Sequence, residues 1–181
     1  MSGVTKAPVF GAFLLAGIAA TGAVQAQQSG PPARRIALTA QDRIDIQQLI
    51  ARYAFAYDTG ADDCFAFADL FTNDGEFVGQ RGHAQGREAL AAYCRGGRKP
   101  TLGISHFIVN PVIDVTPDGV TGKQYLIVAN IGENNQPGGE FSTTGGHYED
   151  AYAKTSNGWR FRRREFIPIN AAPRSQAPAS R

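Results

Sequence analysis

Residues 104–132 read ISHFIVNPVIDVTPDGVTGKQYLIVANIG, two largely apolar segments on either side of the turn Thr116–Gly119. Their period is close to two, which is the side-chain repeat of a β-strand, and Pro-Asp-Gly is typical turn chemistry. Residues 144–155 and 158–169 repeat the pattern around a Ser-Asn-Gly turn. The second half of the chain is therefore predicted to form four long antiparallel strands.

The first half of the chain has a helical period instead. Apolar side chains recur every three or four residues from Ile46 to Tyr57. Thr39 and Asp42 form a capping pattern before this stripe, and a Thr-Gly pair ends it. The sequence then predicts a second short helix at Phe67–Phe71 and a turn at Thr72–Gly75. A short strand at 76–80 and a third helix at 86–94 follow. The fold class is therefore α+β, a cone-shaped roll in which three helices lie across one face of a curved, mainly antiparallel sheet.

The two ends of the chain differ in composition from this domain, which is predicted to span residues 39–169. Residues 1–26 carry one basic side chain and an uncharged apolar run that ends in Val-Gln-Ala, a pattern typical of a secretory signal peptide. An uncleaved membrane anchor is the alternative. Residues 27–38 are interpreted as a linker and residues 170–181 as a disordered tail. We therefore expect a periplasmic or secreted bacterial protein.

Composition and charge limit the kinds of partner. The chain has 181 residues, of which 43% are hydrophobic, and a formal net charge of +2. This near-neutral balance favours neither a nucleic-acid partner nor, once the signal is removed, a membrane partner. The basic cluster RFRRRE, residues 160–165, alternates along a predicted strand, so its arginines are expected on two faces, in solvent or against a second copy.

Two cysteines, Cys64 and Cys94, lie on predicted helices. An oxidising compartment permits a disulfide between them, and buried free thiols are the alternative. The sequence has no Cys or His pair with zinc-ligand spacing, and it lacks the nucleotide-binding and hydrolase motifs. It therefore predicts neither a metal site nor a cofactor.

Asp58 and His106 are the candidate catalytic pair. Asp58 lies at the end of the first helix, where a carboxylate faces the negative end of the macrodipole. His106 lies near the start of the first long strand and shares a strand face with Ile108 and Asn110. A carboxylate that orients an imidazole makes an economical general base. The structural alternatives are a turn that favours Asp and a histidine packed in the core.

The remaining histidines, His83 and His147, are expected at the surface. On the later strands, Asn130 and Tyr148 fall on the faces that are predicted to line the open end of the cone. A small-molecule pocket there is expected to be lined by aromatic and amide groups around one histidine.

The chain resembles the SnoaL-like branch of the nuclear transport factor 2-like superfamily, including its scytalone dehydratase-type members. The resemblance covers roughly Leu38–Pro168 and includes the stretches LTAQDRIDIQQLIARYAFAYDTGADD, FADLFTNDGEFVG and GGHYEDAYAKTSNGWRFRRREF. It implies a cone-shaped α+β barrel that usually dimerises through the outer face of its sheet. The catalytic pair of the family matches Asp58 and His106 through the YD and HF motifs, with Tyr57 beside the aspartate.

The chain also departs from the dehydratase pattern. A family tyrosine on the first strand matches Phe77 or a neighbour, so its hydroxyl is missing. A second family histidine matches Asn130, whose amide donates a hydrogen bond but cannot shuttle a proton.

The sequence thus predicts a cofactor-independent lyase or isomerase that acts on a small hydrophobic carbonyl or hydroxy compound and forms a homodimer. Its catalytic residues are predicted to be Asp58 and His106. The residues predicted to contact the substrate are Tyr53, Tyr57, Phe77, Asn110, Asn130 and Tyr148. The alternatives are a binding protein that holds a ligand in the same pocket, and a structural dimerisation module.

Overall fold

The computed structural model describes Gly3 and residues 37–98, 102–133 and 141–171. Within these residues, helices α1, α2 and α3 span Ala40–Thr59, Phe65–Ala68 and Arg87–Gly97. Strands β1 to β6 span Phe71–Gly79, Gly82–Gln85, Leu102–Thr116, Gly119–Glu133, Phe141–Thr155 and Gly158–Pro168.

The six strands form one sheet in the order β2-β1-β6-β5-β4-β3. Strand β1 is parallel to β6, and every other neighbouring pair is antiparallel. The four long strands lie side by side in chain order, as a meander. Helix α1 packs on β3 and β6, on the face that carries the core. This confirms the predicted α+β fold with a mainly antiparallel sheet.

Helix α1 begins at the predicted capping box. Thr39 Oγ1 accepts a hydrogen bond from the Asp42 backbone N–H at 3.1 Å, and Asp42 Oδ2 accepts one from the Thr39 N–H at 3.0 Å. Asp42 Oδ1 accepts from Lys154 Nζ at 2.6 Å and from the Trp159 indole at 2.9 Å, which ties the helix to the β5–β6 hairpin. The bond from Lys154, followed by those from Thr39 and Trp159, holds the pKa of the Asp42 carboxyl well below its ordinary range.

The apolar stripe of α1 lies in the core. Ile46, Leu49 and Tyr53 are buried, and each aliphatic side chain of this kind stabilises the fold by roughly 1.5–3 kcal/mol. The helix ends as predicted at Gly60, whose φ of +61° favours glycine and whose N–H donates to the Ala56 carbonyl at 3.0 Å.

The segment after α1 is held in an unusual backbone conformation. Asp62, Asp63 and Cys64 have φ values of +53°, +50° and +69°, each of which costs on the order of 1 kcal/mol for a residue with a Cβ. A disulfide joins Cys64 to Cys94 of α3, so the disulfide alternative is confirmed. Arg95 Nη1 also donates to the Asp63 carbonyl at 2.8 Å. These contacts fix the segment that follows Asp58.

Three local predictions are wrong. Phe71 begins strand β1 instead of ending α2, because it pairs with Phe161 of β6. The predicted turn Thr72–Gly75 lies within β1, where a register shift between Phe71 and Glu76 accommodates its polar residues. Residues 82–85, expected as a surface loop around His83, form strand β2 and bury Ala84.

The basic cluster of β6 contains a buried charge that the sequence analysis placed in solvent or against a second copy. Arg164 has no exposed surface, and its Nε and Nη2 donate to the two Asp150 carboxylate oxygens at 2.8 and 2.7 Å. Gln124 and Tyr152 donate to the same carboxylate at 2.6 and 2.8 Å. Although burial opposes the charge, Asp150 raises the pKa of Arg164 above its ordinary value. The pair is therefore part of the core.

No helix in the described part of the chain is both long enough and apolar enough to cross a membrane. Apart from Gly3, the predicted signal peptide lies outside the described residues, as do most of the linker and most of the tail.

Candidate functional site

A cavity of about 220 Å³ opens between α1, the first hairpin and the inner face of the long strands. Its wall is mainly aromatic. The rings that line it belong to Tyr53, Tyr57, Phe77, Tyr93, Tyr148 and Phe166. A planar or partly aromatic molecule fits such a wall because rings pack favourably at offset or edge-on angles.

Asp58 and His106 form a hydrogen-bonded pair at this cavity. The last turn of α1 brings Asp58 to β3, where Asp58 Oδ2 accepts from the His106 backbone N–H at 2.9 Å. Asp58 Oδ1 contacts the His106 ring at Nδ1. Both carboxylate oxygens thus hold one residue, and both side chains are largely buried. Strand β3 pairs His106 with Val128 of β4, which lines the same cavity.

The Asp58–His106 pair determines which nitrogen of the His106 ring can accept a proton. An ionised carboxylate only accepts hydrogen bonds, so a neutral His106 carries its proton on Nδ1 and leaves Nε2 as the unprotonated acceptor. His106 lines the cavity, and its ring packs edge-on against Tyr57 with the centroids 5.0 Å apart. The arrangement can therefore remove a proton from a bound molecule at Nε2.

Tyrosine hydroxyls supply donors inside the cavity. Tyr53 and Tyr148, from α1 and β5, share a hydrogen bond between their hydroxyls at 3.1 Å. Burial raises the pKa of both phenols and that of Tyr57. All three are therefore protonated at neutral pH, and one hydroxyl of the Tyr53–Tyr148 pair donates its proton to the other. The guanidinium of Arg164 lies over the Tyr53 and Tyr148 rings, at 4.1 and 4.3 Å from their centroids, and holds them from the core side.

Arg81, on the turn between β1 and β2, lines the mouth of the cavity. Its Nη2 donates to the Tyr57 hydroxyl at 3.3 Å and to the Tyr93 carbonyl. Among the described residues that line this cavity, Arg81 is the sole permanent charge.

Most of the predicted substrate-contacting residues line the cavity. Tyr53, Tyr57, Phe77 and Tyr148 all do. The prediction for Asn110 is wrong: it lines a separate cavity of about 280 Å³, together with Tyr125 and His147. The reason is a bulge between Val109 and Val112, at which Asn110 adopts a φ of +55° and interrupts the alternation.

Other predictions have mixed outcomes. Asn130 lies in β4 opposite Ile104, but its side chain is outside what the structure describes. His147 is half-buried and lies 3.7 Å from Glu149, away from the Asp58–His106 pair. Within the described ranges, no group of three or more potential ligands is arranged to hold a metal ion.

Sequence reasoning missed Arg81, Tyr93 and Thr144, which also line the cavity. Arg81 and Tyr93 lie outside the long strands whose inward-facing polar residues were predicted to line the pocket. The sequence does carry a signal for Arg81. It is a lone basic residue in the short connection Gln80–Gly82, directly after a strand whose residues line the cavity.

A family model described as the SnoaL-like domain matches residues 38–165. Among curated proteins, none matches the sequence significantly.

The structure is similar to several solved structures. An NTF2-like protein with a cystatin-like fold from Novosphingobium aromaticivorans is 28% identical, with 73% of this chain and 84% of that chain covered and a TM-score of 0.61. Rv3472, a protein of unknown function from Mycobacterium tuberculosis, is 24% identical over 74% of this chain and 79% of that one, with a TM-score of 0.63. ActVI-ORFA from Streptomyces coelicolor is 18% identical over 71% and 98%, with a TM-score of 0.62. At these identities, the last two show the fold alone.

Proposed function

The chain belongs to the SnoaL-like domain family of the NTF2-like superfamily, and we propose that it is a cofactor-independent lyase or isomerase of the dehydratase or cyclase type. The observation that carries this proposal is the Asp58–His106 pair on the wall of an aromatic cavity. The proposed substrate is a small hydrophobic carbonyl or hydroxy compound, because the wall offers rings and a few hydroxyl donors.

The proposed first step is proton removal next to a carbonyl group. His106 Nε2 takes the proton from the carbon, and the electron pair moves onto the carbonyl oxygen as an enolate. Asp58 stabilises the imidazolium that forms. In an elimination, the enolate expels a β-hydroxyl group, which takes the proton back from His106 and leaves as water. In an isomerisation, the proton returns to a different carbon.

The enolate oxygen needs hydrogen-bond donors that are in place before the reaction. The hydroxyls of Tyr57 and of the Tyr53–Tyr148 pair are donors in the wall of this cavity. Phe77 and Phe166 would hold the ring of the substrate and limit access of water.

Deuterium exchange tests this proposal without knowledge of the natural substrate. Exchange of ketone α-protons for solvent deuterium reports the proposed first step alone. A suitable probe is 2-tetralone, a cyclic ketone fused to a benzene ring, whose benzylic α-protons are acidic. We expect the wild type to accelerate exchange over buffer, measured by mass spectrometry in deuterium oxide. We expect His106→Gln to lower the protein-catalysed rate by about 10²–10⁴-fold, the usual contribution of a positioned base.

The matched control is His147→Gln, which removes a histidine that lies outside the cavity and should retain the wild-type rate. Equal rates for the wild type and His106→Gln across a panel of enolisable aryl ketones would contradict the proposal. Binding of such ketones without exchange would favour the binding protein in place of the enzyme.

We also propose that the protein is a homodimer. The outer face of the sheet exposes a set of apolar side chains on paired positions of β3 and β4, namely Phe107, Val109, Val112, Tyr125 and Ile127. Exposed apolar clusters of this kind mark interaction surfaces.

Export to the periplasm or the medium remains part of the proposal. It rests on the signal-like composition of residues 1–26. The Cys64–Cys94 disulfide supports it, because such bonds persist in oxidising compartments.

A further inference from the structure

Arg81 is held at the cavity mouth by several contacts. Its Nη2 bonds Tyr57 and Tyr93, its backbone N–H donates to the Tyr93 hydroxyl at 3.3 Å, and its guanidinium lies 4.1 Å from the centroid of the Tyr93 ring. A side chain with this much support is pre-oriented, although it is exposed to solvent.

Glycines make room for this arrangement. A Cβ at Gly97 would lie 2.4 Å from Arg81 Nη2 and 2.3 Å from the Tyr57 hydroxyl, and a Cβ at Gly79 would lie 2.2 Å from the Tyr93 hydroxyl. Any larger residue at either position would push these side chains out of place. The two glycines thus leave the space that Arg81, Tyr57 and Tyr93 occupy.

The charge of Arg81 has no counter-ion among the described residues. Its neighbours Arg87 and Arg95 differ, because they pair with Asp69 at 2.6 Å and with Asp63 at 3.0 Å. No described carboxylate lies within 4.0 Å of the Arg81 guanidinium. None of the described cavity-lining residues is acidic, so the mouth attracts anions.

Donors also remain available at this position. The Nε and Nη1 groups of Arg81 make no hydrogen bond to the described residues. Because the Tyr57 hydroxyl accepts from Arg81, its own proton is free to be donated into the cavity. The Tyr57 ring lies between Arg81 and His106, so an anionic group at the mouth and a reacting carbon at His106 fit one small molecule.

We propose that Arg81 recognises a carboxylate on the substrate, which makes the substrate class aromatic carbonyl or hydroxy compounds that carry a carboxylic acid. This inference rests on the proposed function for the chemistry at His106, but the anion site itself does not depend on it. Arg81 acts here as a specificity-determining residue, since the proton transfer takes place at the far side of Tyr57.

A pair of isosteric probes tests the inference. Naphthalene-2-carboxylate and naphthalene-2-carboxamide differ in charge but scarcely in shape, and binding of each is measured by isothermal titration calorimetry above neutral pH. A hydrogen bond to a charged group is worth enough to give a preference of about tenfold or more for the carboxylate in the wild type. Arg81→Gln is expected to remove this preference while binding of the carboxamide changes little.

Arg52→Gln is the matched control, because Arg52 is exposed on α1 and does not line the cavity. It removes the same net charge and should leave the preference intact. The inference is overturned if Arg81→Gln keeps the wild-type preference, if Arg52→Gln loses it equally, or if the wild type shows no preference or no carboxylate binding.

His106→Gln separates this inference from the proposed function. It should keep the carboxylate preference although it slows ketone exchange. If the wild type fails to exchange ketone protons but prefers the carboxylate through Arg81, the proposed function fails and the anion site stands.

Discussion

Asp58 carries a charge that the C-terminal end of helix α1 disfavours. The cost is compensated by His106, whose backbone N–H and ring nitrogen both bind the Asp58 carboxylate. Neither donor belongs to the helix or to its following turn. A carboxylate thus occupies an unfavourable helix position and is stabilised by a tertiary contact, which is the pattern expected at a functional site.

Replacement of Asp58 by asparagine tests what this contact does. An amide offers one acceptor where the carboxylate offers two, so Asp58→Asn cannot hold both His106 donors or stabilise the imidazolium. We expect the ketone exchange rate to fall by about 10²–10⁴-fold, mainly in kcat, with little change in KM. Asp45→Asn, an exposed position on the same helix, is the control and should exchange at the wild-type rate. A decrease confined to KM would contradict a role in catalysis.

Among the elements, α1 contributes most to the position of the site, because it carries site residues at one end and a residue that anchors it to the sheet at the other. Its last turn carries Tyr57 and Asp58, and its first turn carries Asp42, which binds Lys154 and Trp159 of the β5–β6 hairpin. The capping box and the stripe determine how the helix lies on the sheet. That placement brings Asp58 to His106.

The Asp42 contacts make stability depend on pH. Its folded-state pKa is depressed below the ordinary value of 3.8, so the stabilisation is complete above that value and is lost as the pH falls through it toward the folded pKa. We expect the free energy of unfolding, from urea titrations, to decrease between about pH 5 and pH 2 in the wild type. Asp42→Asn should be less stable at neutral pH and should lose less on acidification.

Asp45→Asn is again the control, because Asp45 has an exposed hydrogen bond with Gln41 only. Its free energy of unfolding should decrease on acidification as that of the wild type does. Equal decreases for the wild type and Asp42→Asn would show that other groups cause the loss of stability.

At the scale of the whole molecule, the outer sheet face carries the proposed dimer interface. A lysine at Ile127 would place a charge within the apolar set, where burial costs several kcal/mol. We therefore expect Ile127→Lys to raise the dimer dissociation constant by about 100-fold or more, measured by analytical ultracentrifugation. Ile44→Lys, the same change at an exposed position on α1, should remain dimeric. A monomeric wild type at micromolar concentration would contradict the proposal.

Much of this architecture follows from the sequence because its signals are local. The period of two in the last four strands, the capping box of Thr39 and Asp42, and the glycine at residue 60 each act within a few residues. Asp58 and His106 were predicted from local patterns and from the family resemblance together. The tyrosine positions follow from the same periodicities, since Tyr53 lies on the stripe of α1 and Tyr148 on the inner face of β5.

The remaining features depend on contacts between distant parts of the chain. Phe71 has helical neighbours but pairs with Phe161, and Arg164 lies in a basic run but meets Asp150 in the core. Asn110 lies outside the cavity because a bulge in β3 interrupts the alternation of its side chains between the two faces. Arg81 gains its position largely from Tyr57, Tyr93 and Gly97, which are distant from it in the sequence. Patterns within one segment carry no information about such partners.

The proposed chemistry requires that Asp58 holds His106 with Nε2 as a free base facing the cavity. The most direct test is the tautomer of His106, read from the nitrogen chemical shifts of its ring in a two-bond proton–nitrogen NMR spectrum of the labelled protein at a pH where the ring is neutral. We expect a protonated Nδ1 and an unprotonated Nε2 in the wild type, with that preference lost in Asp58→Asn. A proton on Nε2 in the wild type would contradict it.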